Sequence, residues 1–337
     1  IAPYAKLVSV RAFDGAGQGS YSSVINGLNW ILSNKATYNM RVLNLSFGAT
    51  PQSSYWNDPL NKAVMKLWQS GIVVVASAGN WGPYAQSITV PGNVPYVITV
   101  GAMTDNYTPA GTDDRLASFS STGPTYEGFV KPEIVAPGGH IIGVMEEDMA
   151  IPRAHPAFQT PGHDEYMMSG TSQAAAVTTG VVALMLQAQP TLTPSQVKCK
   201  LMSSARPAVD ATNKLAYSVF QQGAGQINAY DAVYSQNTTC ANVGLDIAAD
   251  LAGTKHFGGP AHQKTDGTFY VVDATGQQIN QQGYLWNNGY LWNQGYLWSN
   301  GYLWNNGYLW SNGYLWNNGY LWNNGYLWNQ SFVPSVA

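Results

Sequence analysis

The stretch at residues 169–176, Ser169-Gly170-Thr171-Ser172-Gln173-Ala174-Ala175-Ala176, decides the fold because it begins a long uncharged run. That run, residues 173–187, is rich in alanine and valine and predicts a helix buried in the core. Ser172 then lies at the helix N-terminus, beside unpaired backbone N–H groups and the positive end of the helix dipole. Negative charge that develops during acyl transfer is stabilised at such a place. The plainer alternative is a serine that caps a core helix.

Two apolar segments upstream predict strands that end near this serine. The first, residues 73–80, has the sequence VVVASAGN, which is typical of a fully buried parallel strand. Its last residue, Asn80, points into the crevice where open α/β sheets bind ligands, and its amide is placed to donate to an oxyanion. The second segment, residues 42–49, also ends in small residues. For both segments the alternative is a strand followed by an ordinary turn.

The order of these motifs resembles that of the subtilases, the subtilisin-like serine peptidases. Residues 170–172 match the nucleophile motif of that family, and Ala176 stands where the family usually has proline. Residues 43–48 resemble the strand that lines the specificity pocket, and residues 77–80 resemble the segment with the oxyanion asparagine. Weaker matches follow in the family's order at residues 94–102, 119–124, 131–138 and 223–229. The resemblance extends from the first residue to about residue 233.

The resemblance implies a secreted serine endopeptidase that hydrolyses polypeptide substrates through an acyl-enzyme. Ser172 would be the nucleophile, and Asn80 would contribute to the oxyanion hole. Two short segments would hold the substrate backbone and the specificity side chain, namely Ser46, Phe47, Gly48, Ser77, Ala78 and Gly79. We therefore expect an extracellular protein. Its association with a cell surface or a filament is a further expectation, which depends on the C-terminal part of the chain.

The sequence lacks the other two catalytic motifs of the family. Neither an Asp-Ser/Thr-Gly motif nor a His-Gly-Thr-His motif occurs, and none of the five histidines fits: His140, His155, His163, His256 and His262. A serine without a base is a poor nucleophile at neutral pH. We expect the protein's own N-terminal segment, absent from this sequence, to supply the histidine, the aspartate and a further strand. The alternative is a non-catalytic structural subunit built on a peptidase fold.

Alternating strands and helices predict the α/β class, with a parallel sheet covered by helices on both faces. This matches the three-layer subtilisin-like domain without its N-terminal portion. Strands are expected at residues 6–10, 41–46 and 72–77, and helices at residues 20–34 and 58–69. A further helix carries Cys199, and Thr193 with Gln196 predicts a capping box at its start.

The composition excludes several classes of function. The chain has 337 residues, 10% of them charged, and its net charge of −3 argues against nucleic acid as a partner. No apolar run reaches 18 residues, so no membrane span is predicted. Cys199 and Cys240 can form one disulfide, the expected state in a secreted protein, although two thiols alone do not fix the compartment.

No cofactor is indicated by a clear motif. The acids at residues 146–148 and 164–165 are candidates for a structural calcium ion, because calcium prefers hard oxygen ligands and many subtilases bind it. No Asp-x-Asp-x-Asp-Gly loop occurs, and the alternative is a loop of solvated acids. We expect no other metal site.

The organisation of the chain changes after about residue 233, where the predicted peptidase domain, residues 1–233, ends. Residues 234–282 are polar and predict a linker with one short strand at residues 268–272. Residues 283–330 contain the hexapeptide GYLWNN eight times, with serine or glutamine in place of some asparagines, and residues 331–337 form a tail. The repeats hold eight of the twelve tryptophans and no charge.

The even period of the repeat places tyrosine and tryptophan on one face of an extended chain and leucine on the other. Each repeat then forms one side of a β-solenoid, or short strands stack between neighbouring chains. A large exposed aromatic face drives association. We expect residues 283–330 to bind other copies of the chain in a multimer or filament, or to anchor it to a surface. Carbohydrate binding and a disordered low-complexity tail are the alternatives.

Overall fold

The computed structural model describes residues 1–108, 113–162, 164–210, 214–273, 275–279, 305–306 and 308–309. The strands are β1 (Val42–Leu45), β2 (Val73–Ser77), β3 (Ile98–Thr104), β4 (Arg115–Leu116), β5 (Ile134–Pro137), β6 (Ile141–Val144), β7 (Glu165–Met168), β8 (Ala261–Gln263), β9 (Phe269–Val272), β10 (Gln278–Ile279), β11 (Asn305–Asn306) and β12 (Tyr308–Leu309). The helices are α1 (Tyr21–Asn34), α2 (Pro59–Gln69), α3 (Ala150–Ala154), α4 (Thr171–Ala188), α5 (Pro194–Ser204), α6 (Val219–Gln222), α7 (Ala229–Tyr234) and α8 (Ile247–Leu251), with a 3₁₀ turn at Pro156–Phe158. None of the helices in these ranges combines the length and the apolar character that a membrane span requires.

A five-stranded, mainly parallel sheet forms the centre of the fold. β1, β2, β3 and β5 run parallel in that order, and β4 pairs antiparallel with the end of β3. Every residue of β2 is buried, which requires cover on both faces of the sheet. α4 lies against β1, β2, β3 and β5, whereas α2 packs on β2 and contacts α1. The predicted α/β fold with a parallel sheet is confirmed.

The helices expected at residues 20–34, at residues 58–69 and around Cys199 are confirmed, and side chains cap each of them. Ser20 accepts a hydrogen bond from a first-turn N–H of α1, and Asp58 accepts two from α2. Thr193 and Gln196 form both bonds of the predicted capping box on α5. These bonds satisfy N–H groups that have no acceptor inside the helix.

α4 buries only one of its faces, whereas the sequence predicted a buried helix. Residues that face the sheet include Ala175 and Val182, both fully buried. Away from the sheet Ala176 is exposed. The first residue of the chain contacts this side of the helix, since a Cβ on Gly180 would lie 2.9 Å from the side chain of Ile1. The uncharged composition predicted the helix correctly, but it did not reveal that one face lacks cover in the described part of the chain.

Residues 6–10 do not form the strand that the sequence predicted. The segment is irregular, and Tyr4 and Leu7 are 93% and 92% exposed. A strand needs a neighbour that takes its backbone hydrogen bonds. No strand in the described ranges pairs with this segment, and the local pattern of apolar residues cannot supply one.

The polar stretch after residue 233 is more ordered than the predicted linker with one strand. It contains α8 and an antiparallel sheet of β8, β9 and β10. Val271 and Ile279 of this sheet are buried in the same apolar cluster as the central strands. We call residues 234–279 the C-terminal extension. Its apolar residues are part of the main core, so it is not a linker.

A disulfide joins Cys199 of α5 to Cys240, the pair considered from the sequence. Both cysteines are buried, and the bond attaches the C-terminal extension to the helical layer. Within residues 283–330 the structure describes only β11 and β12, which pair antiparallel. The predicted solenoid or strand stack otherwise lies outside the described residues.

Candidate active site

Ser172 lies in the first turn of α4, close to the carboxyl end of β1. Its Oγ donates a hydrogen bond to the carbonyl oxygen of Ser46 at 3.2 Å. The Ser46 Oγ in turn donates to the carbonyl oxygen of Ser172 at 2.9 Å. This reciprocal pair attaches the start of α4 to the segment that follows β1. Ser172 is half-buried, so its hydroxyl sits at a surface rather than in the core.

Asn80 follows β2 and is oriented by Thr171, the residue before Ser172. The Asn80 Oδ1 accepts hydrogen bonds from the Thr171 N–H at 2.9 Å and from the Thr171 Oγ1 at 2.8 Å. The Thr171 Oγ1 also accepts a bond from the Gly79 N–H at 3.1 Å. Because both groups facing the Asn80 oxygen are donors, its amide nitrogen must point the other way. Thr171 therefore fixes the direction in which Asn80 donates.

Two hydrogen-bond donors converge beside Gly170. A Cβ placed on Gly170 would lie 3.3 Å from the Asn80 Nδ2 and 3.7 Å from the Ser172 backbone nitrogen. Within the described ranges neither donor has an acceptor, since the bonds of this turn involve other atoms. Two unpaired donors at a helix N-terminus form a suitable site for an oxyanion. The Oε1 of Gln173 is nearer still, 2.9 Å from the same Cβ position, so glycine keeps a side chain out of an already narrow space.

The six residues expected to hold the substrate lie at the ends of the neighbouring strands β1 and β2. Ser46 and Gly48 follow β1, and Gly79 follows β2. Ser77 and Ala78 are buried, with 3% and 0% of their surfaces exposed. The structure therefore brings both segments together, but Ser77 and Ala78 are buried beneath the surface of the site and do not form part of that surface. The remaining residue of the set, Phe47, is partly buried against the core.

Gly48 offers a backbone edge to an extended peptide. The next residue, Ala49, exchanges two hydrogen bonds with Val90, at 3.0 and 2.9 Å. The N–H and C=O of Gly48 consequently point away from Val90, and they have no partner in the described part of the chain. A Cβ on Gly48 would lie 2.4 Å from the Oγ1 of Thr89, so only glycine fits between the strand and this threonine.

Sequence reasoning missed the roles of Thr171 and Thr89. Thr171 was part of the nucleophile motif, but its hydroxyl was given no task, and its position directly before the serine was the available signal. Thr89 packs against both glycines: a Cβ on Gly79 would lie 2.7 Å from its Cγ2. Nothing in the local sequence around Thr89 indicates this contact.

None of the histidines in the described ranges is bonded to Ser172. His140 approaches Thr104 at 3.4 Å and stacks on Tyr107, and His256 pairs with Asp250 at 2.8 Å. His163, nine residues before Ser172, lies outside the described residues. The described part of the chain brings the Ser172 hydroxyl and two unpaired N–H donors to the start of α4, and none of its histidines is bonded to that hydroxyl.

The acids considered for calcium do not form a metal site. Among the described residues no group of three or more histidine, cysteine, aspartate or glutamate side chains is arranged to hold a metal ion. Glu146 is exposed in the loop after β6, whereas Glu165 lies in β7, which pairs with β6. The hairpin register places Val144 opposite Glu165, and the Met145 N–H donates to the Asp164 carbonyl, so the two acidic segments lie at the same end of the hairpin without forming such a group.

The chain belongs to the subtilase family, whose family model matches residues 1–225. It is 37% identical over 244 residues to the serine protease AprX of Bacillus subtilis, covering 70% of this chain and 53% of AprX. It is 35% identical over 207 residues to subtilisin E of Bacillus subtilis, covering 61% of this chain and 45% of that protein. Subtilisin DY of Bacillus licheniformis is 31% identical over 230 residues, with 68% of each chain covered.

Among solved structures, the prenylagaramide maturation protease PagA superposes with a TM-score of 0.48 at 25% identity, covering 66% of this chain and 69% of that chain. The chain spans about half the length of AprX and subtilisin E, the curated relatives that it matches at 37% and 35% identity. The family match includes residues 46–48, 77–80 and 170–172, and it ends before the C-terminal extension begins.

Proposed function

We propose that this chain forms the nucleophile-bearing part of a subtilisin-like serine endopeptidase. The observation that carries the proposal is the convergence of two donors, the Ser172 N–H and the Asn80 amide, beside Gly170 at the start of the helix that bears Ser172. The unpaired backbone of Gly48 supports it further, because an extended polypeptide can add there as a strand. Family membership makes peptide-bond hydrolysis the expected reaction for these groups.

In the proposed reaction the Ser172 Oγ attacks the carbonyl carbon of the scissile peptide bond, and its proton passes to a histidine. The carbonyl oxygen takes the negative charge and accepts hydrogen bonds from the Ser172 N–H and the Asn80 Nδ2. The histidine then gives the proton to the leaving amine, and an ester remains on Ser172. Water activated by the same histidine hydrolyses this ester and restores the hydroxyl.

The histidine and its aspartate partner are proposed to come from a segment outside residues 1–337 that docks on α4 and β1. Two features support this partner. Within the described ranges β1 pairs only with β2, which leaves one edge of a parallel strand open. The face of α4 that carries Ala176 is also uncovered. Parallel sheets are normally buried on both sides, so a docked strand and helix would complete the core.

The complete protein is expected to react with a serine-directed fluorophosphonate at Ser172, because phosphonylation requires a base that removes the hydroxyl proton. Peptide mapping by mass spectrometry would locate the label, and Ser172→Ala is the control that should remain unlabelled. Ser46→Ala is a useful second variant, since it removes the neighbouring hydroxyl but keeps the nucleophile. Absence of label, with the histidine-bearing segment shown to be bound, would contradict the peptidase proposal.

The second candidate function is a non-catalytic structural subunit built on the same fold. It is favoured by one observation, the absence of a histidine bonded to Ser172 in the described part of the chain. The fluorophosphonate experiment separates the two candidates, because a structural subunit needs no activated serine. The buried disulfide between Cys199 and Cys240 supports an extracellular location for either candidate.

The aromatic repeats at residues 283–330 are proposed to assemble copies of the chain, at a surface or in a filament. Eight uncharged repeats that each carry a tyrosine, a leucine and a tryptophan support this role. Ending the chain after residue 282 is expected to convert a multimer into a smaller particle, as measured by light scattering after size-exclusion chromatography. The matched control replaces the repeats with a Gly/Ser linker of equal length. An unchanged particle mass in the truncated protein would refute the assembly role.

A further inference from the structure

A cavity of about 540 Å³ lies outside the active-site residues, between the peptidase domain and the C-terminal extension. Its walls come from residues 51–54 with Trp56, from Tyr126 with Glu127, and from residues 256–258. The last of these segments lies beyond residue 225, where the subtilase match ends. The cavity has the size of a small-ligand pocket, and the family match does not account for it.

One wall of the cavity is a fixed imidazole. The His256 ring stacks on Trp56 with centroids 4.7 Å apart and planes 8° apart, and its Nδ1 lies 2.8 Å from the Asp250 carboxylate. That carboxylate is buried and also accepts hydrogen bonds from the hydroxyls of Tyr55 at 2.6 Å and Tyr96 at 3.0 Å. Burial raises the pKa of both tyrosines, so they stay protonated and donate. A carboxylate with these donors accepts from the His256 Nδ1–H, so that in the neutral ring Nε2 is the nitrogen that can accept a hydrogen bond from a ligand.

The second wall contains the carboxylate of Glu127, in which only one of the two oxygens accepts a hydrogen bond from a described residue. The Oε1 of Glu127 accepts a hydrogen bond from the Tyr55 N–H at 2.8 Å. Its Oε2 is buried and has no hydrogen-bond partner in the described part of the chain. An unpaired buried carboxylate oxygen is unfavourable, and a donor from a ligand would relieve it when the Glu127 side chain turns towards the cavity. The residues that line the cavity include no lysine or arginine.

Aromatic faces complete the site. Trp56, Tyr126 and Phe257 all line the cavity, and Tyr126 is 62% exposed. The Phe257 ring already has a cation on it, since the Nζ of Lys255 lies 4.9 Å from its centroid. Aromatic faces attract cations, and planar guanidinium groups also stack on them. The cavity therefore combines acceptor atoms, negative charge and aromatic surface.

We propose that this cavity binds the guanidinium group of an arginine side chain in a polypeptide substrate. A guanidinium is planar and has five N–H donors, so it can serve the Glu127 carboxylate and the His256 Nε2 together while it stacks on a ring. A lysine ammonium is a compact point charge and meets only part of this pattern. A neutral side chain leaves the Glu127 charge unpaired.

The link to a substrate rests on the proposed peptidase function. Gln52, in the first wall of the cavity, is four residues after Gly48, whose backbone would pair with the substrate. Four Cα–Cα steps of about 3.8 Å limit the distance between these two residues to about 15 Å. A bound peptide that continues from Gly48 by about five residues can therefore place an arginine in the cavity.

The test compares peptides that differ only in arginine or citrulline, which has the same shape without the charge. Binding to the complete protein with Ser172→Ala, which prevents turnover, is measured by fluorescence anisotropy, with the variable residue moved four to six positions from the scissile bond. The arginine peptide is expected to bind at least tenfold more tightly at one of these positions. Glu127→Gln and Trp56→Ala should remove the preference, whereas Glu146→Gln, an equal charge change at an exposed residue, should retain it.

Equal binding of the arginine and citrulline peptides at every position would overturn the cavity proposal, even if the wild-type protein hydrolyses both. A preference that survives in Glu127→Gln would overturn it as well. The proposed peptidase function is judged separately, from hydrolysis of a short peptide that cannot reach the cavity. A persistent arginine preference without any hydrolysis would keep the cavity and reject the peptidase.

Discussion

Replacing Asn80 by leucine is expected to lower the kcat of the complete peptidase by about 10²–10³-fold and to leave KM almost unchanged. The Nδ2 of Asn80 lies near the space beside Gly170, and in the proposed reaction the substrate oxygen would carry charge there only after attack by Ser172. A donor that acts at that moment stabilises the transition state more than the bound substrate. The magnitude is the one known for the oxyanion asparagine of subtilisin, a protein of the same family, and does not come from this structure.

Thr171 provides the matched variants for this experiment. Thr171→Val keeps the shape of the side chain but removes the hydroxyl that bonds to Asn80 and to Gly79. We expect a smaller fall in kcat, about fivefold, because one hydrogen bond of about 1 kcal/mol orients the amide. Thr171→Ser should restore most of the rate. Steady-state kinetics with a chromogenic peptide measure each variant, and a raised KM with unchanged kcat in Asn80→Leu would contradict the oxyanion role.

The site residues that could be predicted from the sequence are those whose signal is local. Ser172 and Asn80 each sit where a regular element begins or ends, and the ordered set of subtilase-like motifs singled them out as candidates. The dependence of Asn80 on Thr171 was not predictable, because it joins the end of β2 to the start of α4 across 91 positions of sequence. The direction of an amide follows from its partners in space.

The parts of the fold that sequence reasoning missed depend on distant partners. Residues 6–10 have the pattern of a strand, but no described strand pairs with them. The C-terminal extension shows the opposite error, because its polar composition indicated a linker although it contains a helix and a three-stranded sheet. Its Asp250 is nevertheless buried by bonds to Tyr55, 195 residues earlier, and Tyr96, 154 residues earlier. Composition cannot show that a carboxylate will accept hydrogen bonds from two buried hydroxyls that are distant in sequence.

A buried charge cluster beneath the sheet leads to the largest expected loss of stability. The carboxylate of Glu133 lies 2.7 Å from the Nζ of Lys131 and 2.8 Å from the Nζ of Lys198, and all three side chains are at most 3% exposed. Lys131 also donates to the Val97 carbonyl, and Lys198 to the Pro95 carbonyl. One negative charge therefore faces two ammonium groups in the core.

Replacing Glu133 by glutamine is expected to lower the free energy of unfolding by about 3–5 kcal/mol, because it leaves two buried ammonium groups without a counter-charge. Lys131→Met should cost less, since Glu133 then remains paired with Lys198 alone. Glu146→Gln, at an exposed position, should change the free energy by less than about 0.5 kcal/mol. Urea denaturation of the complete protein, followed by circular dichroism, measures all three variants. Equal losses in Glu133→Gln and Lys131→Met would show that packing, rather than charge, dominates.

The pH dependence of the Glu133→Gln loss distinguishes charge from packing directly. Burial lowers the pKa of Lys131 to about 7 and also lowers the pKa of Lys198, whereas an unfolded lysine titrates near 10.4. Between these values the unfolded chain binds more protons than the folded chain, so stability rises with pH. The loss caused by the substitution changes with pH only where the folded wild-type protein and the folded variant bind different numbers of protons. Without the Glu133 charge the pKa of Lys131 falls further, so the loss should shrink as the pH rises towards about 7 and level off above it. A loss that does not change with pH below about 7 would show that removal of the Glu133 charge leaves the protonation of Lys131 unchanged, and it would point to packing rather than charge.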